Sequence, residues 1–306
     1  MLGEVTEQLQ WLVDNHPRHL FHAQCRGFGE DKIHQRLKSH WAHQVASNAD
    51  DVTVLYHAAI FSELSDSMYS AKLLRRASKL DTKNEIFPET LCGIYLRSFE
   101  KGRKSDKKKF AKLAVSEFKS ALYRYETYCT EEWKKLYQYR FDITGGNVAD
   151  SAIECQLFEE AQELAHLILG RTASLQFPLN TPGIHPGEVY GIISSKNTGG
   201  AILGKIAIAK NDLSFAVDRL NGLVVAEPYG HIENDLAQSL LACGEAEAVK
   251  LYLKRVEELH KTRTSDGNKG SNQMDAELSY EATTCKKIRR WIRKIDAGHI
   301  PRLERC

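Results

Sequence analysis

Apolar side chains recur along this chain in the pattern of paired helices, and this recurrence limits its fold more than any other feature. Between Asp51 and Asn84, Ala58 and Phe61 fall on a first helical segment, and Ser70, Leu74 and Ala77 fall on a second. The polar stretch 63–66 separates the two segments. A unit of two antiparallel helices in about 34 residues buries its apolar face only against a neighbouring unit. The pattern therefore predicts a stack of helical pairs.

The same pattern recurs four more times, with small residues where two helices would cross. The later units are marked by Cys92, Tyr95, Ala114, Phe118 and Ala121; by Ala149, Ala152, Ala161, Ala165 and Ile168; by Leu203, Gly204, Ala207, Ala216, Leu220, Leu223 and Pro228; and by Leu236, Leu240, Ala248 and Tyr252. Their order along the chain predicts an all-α fold of four to five helix pairs.

These units resemble the tetratricopeptide-repeat superfamily over roughly residues 33–255. Four stretches also look like a bacterial family with such repeats: 41–51, 80–96, 197–216 and 291–301. The resemblance implies a TPR-like right-handed α-solenoid of antiparallel helix pairs, whose concave groove binds a segment of another protein. Where members of that bacterial family carry His-Gly-Asn, this chain reads Asn197-Thr-Gly-Gly200. A clamp for a peptide carboxylate is not supported, because 52–63 contains no Lys, Arg or Asn.

Two interruptions and a final helix complete the expected single domain of residues 1–306. Three prolines and several glycines predict an irregular surface loop at 171–198. The polar, Gly-containing stretch 262–275 is predicted to be a mobile linker. An amphipathic segment at 281–298 is predicted to be a helix that caps the C-terminal end of the stack.

Composition excludes several classes of protein. The net charge of +2 is too small for general attraction to nucleic acid, so a nucleic-acid partner is not expected. The 7 cysteines include no Cys-x-x-Cys pair, which argues against a disulfide framework or a zinc site. With no membrane-spanning apolar run and no basic leader at the N-terminus, we expect a cytoplasmic protein without cofactor or metal. The oligomeric state stays open.

Aromatic residues are dense from Phe118 to Phe141 and supply candidates for partner binding. Tyr and Trp bury a large area with few rotatable bonds, so they anchor protein interfaces well. The groove candidates are Tyr56, Tyr95, Tyr128, Trp133, Tyr137 and Tyr139. Core packing of the same residues is the alternative interpretation.

A basic run at 101–112 is interpreted as a solvated extension between two helices. Its patch consists of Arg103, Lys104, Lys107, Lys108 and Lys109. The alternative is a nucleic-acid-associated helical repeat that contacts phosphates through this run, although few aromatic residues accompany it.

Motifs for catalysis or metal binding are weak. Residues 199–205 have the glycine and lysine spacing of a phosphate-binding loop, but Ile206 stands where Ser or Thr would hold magnesium. His40 and His43 lie three residues apart without a carboxylate at matching spacing. An enzyme or regulatory subunit with a ligand loop at 181–186, including His185, is the competing hypothesis. The expected function is a non-catalytic scaffold for protein–protein interaction.

Overall fold

The computed structural model describes residues 2–18, 31–173, 186–223, 234–265 and 272–303. All regular structure within these ranges is helical, so the all-α prediction is confirmed. The helices are α1 (Leu2–Asn15), α2 (Asp31–Ser47), α3 (Val52–Ser62), α4 (Ser67–Leu80), α5 (Ile86–Lys101), α6 (Lys104–Tyr128), α7 (Glu131–Glu154), α8 (Phe158–Ala173), α9 (Pro186–Ala209), α10 (Leu213–Gly222), α11 (Asn234–Ala242), α12 (Ala246–Ser265) and α13 (Asn272–Asp296).

The chain divides into two compact units, residues 1–134 and 135–306, and the single domain expected from the sequence stays a prediction. The boundary falls inside α7. Apolar periodicity reports which helix faces are buried, but it does not report how many separate cores those faces form.

In the first unit each helix packs against the next one along the chain, from α1 to α6. Side-chain caps begin two of these helices. The Asp51 carboxylate accepts hydrogen bonds from the N–H groups of Thr53 and Val54, and Asp66 accepts one from Tyr69. Such caps satisfy backbone donors that a helix leaves without partners at its first turn.

The predicted extension at 101–112 is wrong, because α6 begins at Lys104 and only Gly102 and Arg103 separate it from α5. Lysine has a high helix propensity, so a run of lysines does not prevent a helix from forming. Gly102 is required at this link because a Cβ atom there would collide with the backbone oxygen of Ser98. Most of the basic run, from Lys104 onward, is therefore helical.

In the second unit, helices also contact the next but one. Besides the pairs α8–α9, α9–α10 and α12–α13, α9 packs against α11 and α10 against α12. Small residues allow these approaches. A Cβ atom at Gly199 would lie 2.5 Å from the Leu169 side chain, and one at Gly204 would lie 2.8 Å from the Leu236 methyl groups.

Both predicted interruptions are shorter than expected. Residues 171–173 belong to α8 and 186–198 belong to α9, while 174–185 lie outside the described residues. Pro186 begins α9, where proline's missing N–H has no helical acceptor to lose. In the predicted linker at 262–275, α12 continues to Ser265 and α13 begins at Asn272.

The predicted capping helix at 281–298 forms the C-terminal part of α13. Ile288, Trp291 and Ile295 are buried in the core of the second unit. The helix ends at Asp296, and Gly298 just beyond it adopts a φ of +75° that residues with a Cβ rarely adopt. Its N–H donates to the carbonyl oxygen of Ile295.

Helices occur at all five places where the repeat pattern predicts pairs. The marked positions that are buried are Ala58, Phe61, Ser70, Leu74, Ala77, Cys92, Tyr95, Ala114, Phe118, Ala121, Ala149, Ala152, Ala161, Ala165, Ile168, Gly204, Ala207, Ala216, Leu220, Leu223, Leu236, Leu240 and Tyr252. Pro228 lies outside the described residues. The right-handed, tetratricopeptide-type winding of these pairs stays a prediction.

Candidate binding face on helices α4 and α6

Two of the predicted groove tyrosines are not available as exposed anchors. Tyr95 is only 1% exposed, and its hydroxyl accepts a hydrogen bond from Arg75. Burial raises the pKa of the Tyr95 hydroxyl, although the positive charge of Arg75 opposes this. Tyr56 is half-buried, with its ring centre 5.7 Å from that of Phe87. Both residues serve mainly the packing of the first unit.

Tyr128 is exposed, and the structure places it beside a second exposed ring. Its centroid lies 6.4 Å from that of Tyr123 in an edge-to-face contact. The two residues are 46% and 63% exposed. The ammonium of Lys83 lies 5.9 Å from the Tyr128 ring centre. Tyr123 belongs to the aromatic stretch of the sequence, but its exposure depends on the face of α6 that it occupies.

Trp133 is half-buried and is held by a hydrogen bond. Its indole Nε1–H donates to the Glu85 carboxylate, 3.2 Å away, and Glu85 is itself buried. Burial, followed by the charge of Glu85, raises the pKa of the neighbouring Cys129 thiol to about 11. The side chains of Tyr137 and Tyr139 lie outside the described residues, although both belong to α7.

The predicted basic patch lies at the start of α6. Arg103, Lys104, Lys108 and Lys109 are exposed, whereas Lys107 is half-buried with its ammonium 4.7 Å from the Phe99 ring centre. Positive side chains in the first turn oppose the positive end of the helix dipole. This helix end therefore has a surplus of positive charge.

A second set of cations lies on α4, which the sequence analysis did not single out. Lys72, Arg75, Arg76 and Lys79 are exposed and recur at the three- and four-residue spacings of one helix face. Arg76 lies 3.2 Å from the exposed Asp50, and Arg75 bonds to the Tyr95 hydroxyl. The two lysines on this face have no such partner among the described residues.

Polar contacts join α4 to α6, so both sets of cations belong to the first unit. Arg124 of α6 donates to the Ser78 hydroxyl at 2.8 Å and to the Asn84 carbonyl oxygen at 3.0 Å. Glu117 of α6 lies near Arg75 of α4. Burial raises the pKa of Glu117, and the positive charges of Arg75 and Arg124 partly offset this.

We use the name basic face for the exposed lysines of α4 and α6 that form no ion pair with a described residue: Lys72, Lys79, Lys104, Lys108, Lys109 and Lys112. Between Ser67 and Tyr128 the chain has 15 Lys and Arg but only 7 Asp and Glu. Of these acids, Glu85 is buried, and Glu89 and Glu117 are half-buried. The carboxylates are therefore more buried than the ammonium groups. The surface of this segment is more positive than its numbers of basic and acidic residues alone would indicate.

A histidine–carboxylate pair near the N-terminus was missed because its members are 26 residues apart. Nδ1 of His40 on α2 lies 2.8 Å from both oxygens of Asp14 on α1. Gln44 donates to the Asp14 carbonyl oxygen at 3.1 Å. These groups and His43 line an open depression of about 400 Å³. The pair ties α1 to α2. Among the described residues, no group of three or more His, Cys, Asp or Glu side chains has the arrangement of a metal site.

The phosphate-loop spacing at 199–205 lies inside α9, where backbone amides bond within the helix. The Lys205 ammonium lies 2.9 Å from Asp150 and 3.9 Å from Asp235, so it joins three helices of the second unit. His185 lies outside the described residues, and Pro186 is the first residue of α9. The ligand-loop hypothesis stays a prediction.

None of the described helices is both long and apolar enough to cross a membrane. A scan of protein-family models finds no family that matches the chain. A search of curated proteins finds none with significant similarity to it.

Proposed function

We propose that this chain is a non-catalytic helical-hairpin protein that binds another protein through the basic face. The observation that carries the proposal is a set of six exposed lysines that form no ion pair with a described residue, together with the exposed Tyr123 and Tyr128 further along α6. Charged groups on such a face steer association, and aromatic rings supply buried area in a complex.

The arrangement is unfavourable in the isolated molecule. Lys104, Lys108 and Lys112 follow one another at four-residue spacing, which places like charges side by side on the helix surface. Each such pair destabilises a helix by about 0.2–0.5 kcal/mol. A partner of opposite charge removes this repulsion. Its binding therefore stabilises this face more than it would stabilise a face that carries both positive and negative side chains.

The helix packing supports the scaffold part of the proposal. In the second unit α9 contacts α11 and α10 contacts α12, as expected when one helical hairpin stacks on the next. Gly204 meets Leu236 at the point where α9 approaches α11. Stacked hairpins of the tetratricopeptide type present extended surfaces to partner segments, so we infer a related arrangement here. This step is an analogy of fold, and the binding face supplies the functional argument.

The proposed surface differs from the groove expected from sequence. With Tyr95 buried and Trp133 bonded to Glu85, we assign partner contact to Tyr128 and Tyr123 together with the lysines. The exposed lysines predicted at 104, 108 and 109 keep a role, now as part of α6.

Affinity capture from an extract of the native cell tests the proposal. The full chain is compared with a variant carrying Lys108→Glu and Lys112→Glu, and with a control carrying Lys196→Glu and Lys254→Glu. The control residues are exposed on α9 and α12 and receive the same change of charge. Circular dichroism checks that all three proteins are folded.

We expect at least one protein to be retained by the wild type and the control, and to be reduced at least tenfold by the reversal on α6. Identical retention by all three proteins would contradict the proposal, as would retention of nucleic acid in place of protein. Quantitative mass spectrometry and nuclease treatment of the extract separate these outcomes.

A further inference from the structure

We propose that the segment received by the basic face is an acidic α-helix whose carboxylates recur every fourth residue. This inference rests on the proposed function and names the chemistry of the partner. It follows from the spacing of the lysines, from the form of the two exposed rings and from the limited extent of the charge.

The spacing of the lysines matches that of a helix. Lys104, Lys108 and Lys112 form one row along α6, and successive members are about 6 Å apart along the axis. A partner helix with glutamate at every fourth position repeats at the same distance. Each carboxylate therefore has a lysine opposite it when the two helices lie side by side.

Lys72 and Lys79 on α4 form a second positive row beside the first. They are seven residues apart, or two helical turns, and therefore lie on the same face of α4. Arg124 and Glu117 connect α6 to α4. The row on α6 is the longer of the two, and it carries the inference.

The exposed tyrosines indicate which side chains the partner helix carries beyond its carboxylates. Tyr123 lies eleven residues after Lys112, three helical turns further along α6 and beyond most of the lysines. A partner helix therefore has carboxylates at one end and an apolar side chain against Tyr123 and Tyr128 at the other. The apolar contact adds area that salt does not screen.

The form of the tyrosine cluster favours a protein over nucleic acid. Base stacking requires an open ring face, but Tyr128 has Lys83 above its ring and the edge of Tyr123 beside it. The positive region is also local, because the whole chain has a net charge of only +2.

Fluorescence anisotropy with labelled probes tests the inference on the full chain. The first probe is a peptide of about 18 residues that repeats Glu-Ala-Ala-Ala and ends in Leu-Leu. The second has the same composition, with the glutamates in one block. The third is a 20-nucleotide oligothymidylate. Each probe is measured against the wild type, the Lys108→Glu/Lys112→Glu variant and the Lys196→Glu/Lys254→Glu control.

We expect the periodic peptide to bind at least fivefold more tightly than the block peptide and more tightly than the oligonucleotide. The reversal on α6 should weaken its binding at least tenfold, and the control should change it less than twofold. Raising the salt concentration should weaken binding to the wild type.

Equal binding of the two peptides, tighter binding of the oligonucleotide, or no binding at all would each overturn the inference. The capture experiment separates this failure from that of the proposed function. If the reversal of Lys108 and Lys112 abolishes capture of a native partner but the periodic peptide does not bind, the proposed function stands. The proposal of an acidic helix is then wrong.

Discussion

Lys205 and Lys250 of the second unit join helices, whereas the lysines of the basic face in the first unit are exposed. Lys205 bonds to Asp150, and Lys250 lies 2.8 Å from Asp296 on another helix. Lys72 and Lys112 have no comparable contact with a described residue. These two lysines of the second unit therefore contribute to folding, whereas the role proposed for the basic face is binding.

The units also differ in how their helices approach each other. In the second unit α9 meets α8 and α11 at glycines, which brings backbones close. In the first unit α4, α5 and α6 are held by larger groups, including Tyr95, Phe118 and the Arg124 guanidinium. Glycine crossings tolerate little added volume, so the largest effects of substitution are expected there.

Gly199→Ala should destabilise the second unit by about 1–3 kcal/mol. The new Cβ atom would lie 2.5 Å from Leu169 and 3.1 Å from the backbone oxygen of Ala165, which outweighs the better helix propensity of alanine. Hydrogen exchange of α8 and α9 measures the loss. Gly170→Ala is the control, because nothing lies within 4 Å of its Cβ position. Equal protection in both variants would contradict the prediction.

Acidification should weaken the contact between α12 and α13 through Glu257. Its burial alone would raise the pKa, but hydrogen bonds from Arg289 and Lys261 outweigh burial and lower the pKa below its ordinary value of 4.5. A carboxylate with a lowered pKa in the folded state stabilises it above pH 4.5, and this contribution is lost as the pH falls through the folded pKa.

Glu257→Gln should therefore reduce stability by about 1 kcal/mol at neutral pH and have little effect in acid. Hydrogen exchange of α12 and α13 as a function of pH provides the measurement. Glu258→Gln, at the neighbouring exposed position, is the control. A loss of the same size at low and neutral pH would show that the charge of Glu257 is not the cause.

Lys205→Met should destabilise the second unit by about 0.5–1 kcal/mol, because Asp150 and Asp235 are partly exposed and water screens their attraction to lysine. The change in protection of α9 checks this value. Lys196→Met, at an exposed position of the same helix, should have a smaller effect. If both variants change the protection of α9 equally, the ion pairs of Lys205 do not contribute to the stability of the second unit.

Lys112→Gln should have the smallest effect and the opposite sign. It removes the repulsion between Lys108 and Lys112, so we expect α6 to gain a few tenths of a kcal/mol. A thermal unfolding scan compares this variant with Lys112→Arg, which keeps the charge. A destabilisation larger than that of Lys205→Met would reverse the contrast between the two units.

The sequence predicted the helices and much of the core because both depend on local periodicity. Ala114, Phe118 and Ala121 repeat at the spacing of a buried helix face, and all three are buried. The extension at 101–112 was predicted wrongly because charge was interpreted as a sign of irregular structure. Lysine is compatible with a helix, and Gly102 with Arg103 is sufficient to turn the chain.

The candidate face was only partly predictable. Lys104 and Lys108 were recognised as a basic patch, but the α4 lysines were not, because their exposure depends on which face of α4 packs against its neighbours. Tyr95 was taken for an exposed anchor because the side chain of a tyrosine in a repeat is equally suited to a core or to a groove. The contact of Lys205 with Asp150 spans 55 residues and leaves no local signal.

The length of α6 and its short link to α5 at Gly102 and Arg103 have a consequence for the rate of association with a partner. Because α6 has 25 residues and α5 has 16, α6 extends past the start of its neighbour by roughly 13 Å. Its lysines and tyrosines are therefore carried on one rod that is already ordered before an encounter. Little conformational entropy is lost on this side of the complex, so most of the ordering on binding falls to the incoming segment. Long-range attraction should then make association fast at low ionic strength and slower as salt increases.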